Sequence, residues 1–330
     1  AKPGPFEWES LLPARPGHDE GLVEELGKLG VAAEQVEHVA RGLAIRCANA
    51  RAAIASQREK ALALSAQMPD ANTAAFVNGL ITATSDDTGG EVVSVTHSAF
   101  SLKFRVRTEV CEQLRRRYDA GGGDPQWWAV RLFALLARYA ALDGEGYQGS
   151  LSTALMDRLR VAIGVQGECF ASPLNVDARS RYFSAFPLVD RFFGSAGSFF
   201  SLHRTIDLIE EGGGSFEANP PFLEEIILAM YMYMHVLLDR YAAVPLSFCV
   251  FVPRWTDTPG VEAMTASPFT TAQFHLDKRT HSYRAGFHHL PHRNVTIPYS
   301  NTLVFLLQNE KGADRWKASE LTSLFQGPSP

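Results

Sequence analysis

Four consecutive residues, Asn219-Pro220-Pro221-Phe222, are the part of this chain most able to do chemistry. Two successive prolines fix the backbone and remove two amide donors, which turns the Asn219 and Pro220 carbonyls into outward-facing acceptors. Asn219 adds a side-chain carbonyl, and Phe222 adds a ring that can lie against a planar base. Such a set suits an amino group on an aromatic ring. Two acceptors on its hydrogens favour the tetrahedral geometry from which the nitrogen lone pair can attack. The same four residues also satisfy the requirements of a stiff strand-to-helix turn, since Pro221 falls near the first helical position, where proline is well tolerated.

A second constellation is Glu168-Cys169-Phe170-Ala171-Ser172-Pro173-Leu174-Asn175, directly after the apolar 161–165. An acidic residue at a strand end followed by small residues permits close backbone approach to a ligand, with Glu168 available to ribose hydroxyls or to positive groups. The alternative is a loop capped by Glu168, with Cys169 and Phe170 in the core. A third group is cationic: Lys103, Arg105 and Arg107 alternate with Leu102, Phe104 and Val106, and Arg115-Arg116-Arg117 follow shortly after. Arginine offers paired donors to phosphate, while a solvated face is the ordinary fate of such runs.

These residues need elements to hold them. A β-branched, alternating stretch over 91–107 predicts strand, and 108–119 predicts a helix ending at Gly121-Gly122-Gly123. A helix is expected from Trp127 to about residue 142. Short apolar strands are expected at 165–170, 215–218, 246–252, 273–276 and 302–307, with a long helix starting near Leu223. Alternation of this kind predicts an α/β layered domain from about residue 121 to the end. Both chemical motifs then sit at carboxyl ends of strands. Upstream, 1–17 holds Pro3, Pro5, Pro13 and Pro16 and reads as an extended arm. Residues 21–68 carry apolar positions at helical spacing and predict one or two helices closed by Pro69. The polar run 82–90 predicts a loop. The domain plan is therefore an arm (1–17), a mainly helical accessory region with a basic strand-helix unit (18–120), and an α/β domain (121–330).

Composition narrows the function classes. With 46% hydrophobic and 20% charged residues in 330, the chain is neither disordered nor built of membrane spans. The net charge of −5 excludes a generic polyanion binder, so any nucleic-acid contact needs a local basic patch. Cys47, Cys111, Cys169 and Cys249 show no metal-binding or disulfide spacing and read as small buried hydrophobes. His275, His281, His288, His289 and His292 match no zinc signature, so no metal is expected. With Lys278, Arg279, Arg284 and Arg293 they are expected to form a polar loop. No secretory leader is read at the first residues, which fits a cytosolic or nuclear address; the nucleus is the expectation, with the cytoplasm as alternative.

The tetrapeptide has the form of the motif that N6-adenine methyltransferases use. In order along the chain, Gln148-Gly149-Ser150-Leu151, the run from Glu168 to Asn175, Ser184-Ala185-Phe186-Pro187, Phe193-Gly194-Ser195, the stretch 214–222, Leu246-Ser247-Phe248, Tyr283-Arg284 and Leu306-Leu307-Gln308-Asn309 resemble one family. It is the phosphorylated-CTD-interacting-factor family of cap-specific mRNA adenosine N6-methyltransferases, and the resemblance spans roughly residues 100–310. It implies a class I (Rossmann-like) methyltransferase core with an N-terminal, mainly helical accessory region. It implies S-adenosyl-L-methionine as cofactor and the 5′ end of capped mRNA as partner, with no metal or membrane and a monomeric enzyme. The residues it implies for catalysis are Asn219, Pro220, Pro221 and Phe222. For the cofactor they are Gln148, Gly149, Glu168, Phe170, Ala171, Ser172, Pro173, Asn175 and Asn219, and for RNA or cap Lys103, Arg105, Arg107, Arg115, Arg116, Tyr283 and Arg284. Two departures stand out. Tryptophan-spaced strands of the WW type are not read, so docking onto the phosphorylated polymerase tail is not expected. Pro253-Arg254-Trp255 stands where animal members have Pro-Glu-Trp. Internal adenosines of RNA or DNA, or a catalytically silent cap-binding relative, remain the alternatives.

Overall fold

The computed structural model describes residues 30–66, 81–85, 92–98, 102–141, 149–201, 212–279, 281–285, 289–290, 296–297 and 301–325, with positions 23, 26 and 27. The expected arm 1–17 and the turn at Pro69 lie outside them. The chain divides into two units, Ala1–Val77 and Asn78–Pro330. The first holds one long helix, α1 (Ala33–Ala66), rich in alanine and other strong helix formers and carrying a Glu37–Arg41 pair one turn apart at 2.8 Å.

The second unit opens with an antiparallel meander of β1 (Ile81–Ser85), β2 (Val92–His97) and β3 (Leu102–Arg107). The first of these overturns the expected loop: Thr82 and Thr84, polar in sequence, face solvent on an edge strand whose register with β2 is set at Ile81↔His97. Two helices follow, α2 (Thr108–Ala120), which buries Val110, Cys111, Leu114 and Tyr118, and α3 (Trp128–Ala140), which buries Leu132, Leu135, Leu136 and Tyr139. Phe133 of α3 meets both His97 and Phe104, and Tyr118, Trp128 and Phe193 meet one another. These contacts join the basic strand-helix unit to the α/β part within the second unit.

The centre is a six-stranded sheet of order β6-β5-β7-β8-β12-β9. Its strands are β5 (Val165–Glu168), β6 (Arg181–Tyr182), β7 (Gly214–Ala218), β8 (Leu246–Pro253), β9 (Thr270–Leu276) and β12 (Thr302–Gln308). The first four run parallel, and β12 is antiparallel to both neighbours. All residues of β8 and β12 are buried, as expected of strands covered on both faces. One face packs α6 (Glu224–Arg240) and α7 (Pro259–Thr265) on Phe216, Phe248, Val250, Phe305 and their neighbours. The other packs α4 (Thr153–Ile163) and α9 (Ala318–Phe325) on Cys249, Phe251, Val304 and Leu306, and the short α5 (Pro187–Asp190) lies in the stretch after β6. Asn309, which caps α8 (Glu310–Arg315), accepts from the Leu246 and Gly312 amides and donates to the Tyr241 and Val244 carbonyls, tying the end of β12 to the start of β8.

A third, small sheet joins β4 (Ser150–Leu151), β10 (Tyr283–Arg284) and β11 (Thr296–Ile297), with Tyr283 opposite both Leu151 and Ile297. Its strands are two residues each, too short to leave an alternating pattern in the sequence.

Candidate active site

β5 connects outward to β6 on one side while its other neighbour is β7, so the chain order reverses between β5 and β7. That switch point is where open α/β sheets leave a crevice beyond the carboxyl ends of the strands. Glu168 ends β5 and the Asn-Pro-Pro-Phe turn follows β7, so the two sequence motifs meet at this crevice. Glu168 and Glu217 are register partners across it.

Asn219 is buried at 8% exposure, and its side-chain nitrogen donates to the Gly149 carbonyl at 2.8 Å. Only the amide nitrogen can donate, so this bond fixes which end of the side chain is the acceptor. The acceptor, Oδ1, has no hydrogen-bond partner among the described residues. A buried, oriented and unsatisfied carbonyl is costly unless a ligand donor meets it. The turn itself closes through the Leu223 amide on the Pro221 carbonyl at 2.7 Å, directly before α6 begins.

Phe222 is half-buried, and its ring meets the edge of Tyr283 at 6.2 Å between centroids. Tyr283 is fully buried, and its hydroxyl reaches Thr302 Oγ1 at 3.1 Å. The same oxygen bonds His281 Nε2 at 2.9 Å, while His281 Nδ1 meets the Asp277 carbonyl at 2.8 Å. Among the histidines, expected as one polar loop, His281 thus belongs to a brace behind the turn. The small sheet brings both supports together, because β4 follows Gly149 and β10 contains Tyr283.

The loop after β5 is built from its own polar atoms. Asn175 Oδ1 accepts from the Ser172 amide at 2.6 Å and from the Ser172 hydroxyl at 3.0 Å, and the Val176 amide returns to the Ser172 carbonyl. Ser172, Pro173 and Asn175 therefore shape the loop through buried atoms. Ala171 donates its amide to Phe183, and Phe170 packs its ring on Phe199 and Phe200. Glu168 accepts from the Asp177 amide at 3.0 Å, and Asp177 is held by Arg160 at 2.6 Å. Burial pushes the Glu168 carboxyl up to about 7 against the opposing pull of these hydrogen bonds. Burial and the neighbouring Glu168 raise Glu217 well above the carboxylate range. Its Oε1 has no partner among the described residues. Motif reasoning misses Glu217, Asp177 and Arg160. The alternation Ser215-Glu217-Asn219 along one strand is the available signal for the first.

The residues expected on RNA separate. Lys103 is exposed and Arg105 half-buried on β3, while Arg107 Nε donates to the Leu290 carbonyl at 3.2 Å, and its amide to His289. On α2, Arg115 pairs with Asp119 at 2.9 Å and Arg116 with Glu112 at 3.7 Å, so one helical turn balances their charges. Arg284, half-buried on β10, lies apart from β3 and α2; burial lowers its guanidinium below the usual value against the pull of Glu168 and Asp177. Tyr283, expected on the cap, is corrected, because a fully buried side chain behind Phe222 offers no surface to RNA. Gln148, His288 and His292 lie outside the described residues.

A family model described as "Phosphorylated CTD interacting factor 1 WW domain" matches residues 113–286, more than half of the chain. The chain belongs to that family. The description names a WW domain, which the sequence reading did not expect; the described residues of the match run from α2 to β10 and include the parallel part of the central sheet. A Mus musculus protein named mRNA (2′-O-methyladenosine-N(6)-)-methyltransferase is 36% identical over 250 residues, 72% of this chain and 33% of its own length. A Homo sapiens protein of the same name is 38% identical over 235 residues, 69% of this chain and 31% of its own. The chain spans about a third of the length of these relatives.

Proposed function

We propose that this chain methylates N6 of the adenosine next to the mRNA cap, using S-adenosylmethionine in a class I, Rossmann-like core. The oriented, unsatisfied Oδ1 of Asn219 at the crevice carries this reading. The relatives' printed name supports the substrate, and the order β6-β5-β7-β8-β12-β9 with β12 reversed supports the fold class.

The residues present fit the cofactor. The β5–β7 crevice carries the buried Glu168 carboxyl at its edge, an acceptor that ribose hydroxyls or an ammonium would meet. Bound there, S-adenosylmethionine would supply an electrophilic methyl on a sulfonium. Asn219 Oδ1 takes one hydrogen of the adenine amine and the Pro220 carbonyl the other, which draws the nitrogen out of conjugation and aims its lone pair. Phe222 stacks the base, and Tyr283 stops Phe222 from turning away. The nitrogen so aimed would take the methyl, and its surplus proton would pass to water. Positioning is the main contribution of these groups. The first transcribed nucleotide can leave its stack at small cost, which suits a pocket that takes a single base.

The test is methyl transfer from radiolabelled cofactor to four RNAs: capped with a first A, capped with a first G, uncapped with a first A, and capped with only internal A. Label on the first alone is expected. Equal label on the uncapped or internal-A RNA overturns the cap-adjacent reading, and no label on any overturns the enzyme.

A further inference from the structure

Five arginines of α2, α3 and the loop after β6 lie over aromatic rings. Arg115 covers Trp128 at 5.2 Å, Arg117 covers Tyr182 at 5.2 Å and Arg138 covers Phe186 at 4.4 Å. Arg131 and Arg191 both cover Phe192, at 3.7 and 4.8 Å. The last two differ from the rest. Arg115 is paired with Asp119, Arg117 donates to the Asp177 and Ala178 carbonyls, and Arg138 lies in the field of Asp190. Within the described residues, Arg131 and Arg191 form no ion pair and no side-chain hydrogen bond. Asp124 accepts from Gln126, and Asp190 accepts at Oδ2 from the Tyr139 hydroxyl and the Phe186 amide, its Oδ1 being buried away from solvent.

Two guanidiniums sharing one ring repel each other. Burial lowers the Arg131 guanidinium, Tyr118 opposes this, and the Arg191 charge lowers it further. Stacking orders the planes but leaves their donor edges unused, and an anion between them removes the repulsion. Arg191 is exposed and Phe192 half-buried, so the edges are reachable from solvent.

We propose that Arg131 and Arg191, set on Phe192, clamp a backbone phosphate of the RNA strand leading away from the catalytic turn. The clamp rests on the RNA substrate proposed above. Its place supports a nucleic acid over other anions. Phe192 lies on the loop that leaves the carboxyl end of β6, and the Ala171 amide and the Phe170 ring join this loop to the one at Glu168. β6 is two strands from β7, about 10 Å at ordinary strand spacing. Trp128, half-buried and 6.2 Å from Phe193, adds an aromatic surface beside the clamp. Alternating cations and rings match the phosphates and bases of a single strand. A phosphorylated peptide offers the phosphate without the bases.

The experiment measures affinity against salt, using fluorescent RNA of about 20 nucleotides with a capped first A and a capped dinucleotide, for the whole chain and for Arg131→Gln/Arg191→Gln. The slope of log affinity on log salt should fall by about 0.7 for each phosphate of the single strand that the variant no longer neutralises. Affinity for the long RNA should drop about tenfold or more at low salt, and by less for the dinucleotide. Arg131→Lys/Arg191→Lys keeps the charge and should keep most of the slope. An unchanged slope for the Gln pair overturns the clamp. So does an equal reduction on both ligands, or a Lys pair as impaired as the Gln pair, which would assign the arginines to packing. A doubly phosphorylated peptide that binds the wild-type chain more tightly than the RNA does also overturns it. The two readings fail separately: RNA binding without methyl transfer refutes the proposed enzyme and leaves the clamp standing.

Discussion

The Asn219 side chain donates to the Gly149 carbonyl at 2.8 Å across 70 residues of sequence. That bond points Oδ1 away from Gly149 and makes it the one oriented side-chain acceptor of the Asn-Pro-Pro-Phe turn. Asn219→Ala should lower kcat by about 10²–10³, the usual cost of one preorganised polar group at a reacting centre. Binding of S-adenosylhomocysteine, measured by calorimetry, should stay close to wild type. Activity within a few-fold of wild type would remove Asn219 from catalysis.

Asn219→Asp gives a sharper result. It keeps an acceptor but loses the donor, and sets a carboxylate against the Gly149 carbonyl. Turnover should fall together with thermal stability, whereas Asn219→Ala loses turnover by more than it loses stability. Paired melting curves and single-turnover rates distinguish the two.

Tyr283→Phe tests the brace behind Phe222. The variant keeps the ring packing and loses the hydroxyl bond to Thr302, so stability should fall by about 1 kcal/mol in a urea titration. Methyl transfer should change little, because Phe222 leans on the ring. A large drop in kcat with intact folding would give the hydroxyl a direct part in the site.

The pH dependence follows from Glu168. Its folded value of about 7 lies above its ordinary value of 4.5, so the folded state binds the proton more tightly than the unfolded state does. Its stabilising contribution is complete below about 4.5 and is lost as pH rises through about 7. Melting temperature of the cofactor-free chain should therefore decline over that window. Glu168→Gln, neutral throughout, should flatten the decline. Parallel curves for the two proteins would exclude Glu168 as its source.

Arg115→Ala/Arg116→Ala should leave the salt slope of RNA binding nearly unchanged. Asp119 and Glu112 already balance these charges, and removing two such exposed pairs costs at most about 1 kcal/mol of stability per pair. A slope reduced as far as in Arg131→Gln/Arg191→Gln would return the RNA track to α2.

The layered α/β class, the central strands and the place of both motifs are legible in the amino-acid order. Apolar runs such as those of β8 and β12 are buried wherever they pair, and proline pairs and strand-end acids act within a few residues. The strands expected at 165–170, 215–218, 246–252, 273–276 and 302–307 appear with ends moved by a few residues at most. Which strand inserts beside which is settled only by packing, so the reversal of β12 between β8 and β9 leaves no local trace. Packing also brings Gly149 and Tyr283 to the Asn-Pro-Pro-Phe turn, since two-residue strands carry no periodicity. The fate of the arginines is of the same kind. A run of three looks basic in any sequence, yet the charge it presents depends on the carboxylate, carbonyl or ring that each side chain reaches. Arg115 and Arg116 find acids on their own helix, Arg117 finds carbonyls, and Arg131 and Arg191 meet over Phe192 from elements 60 residues apart in sequence.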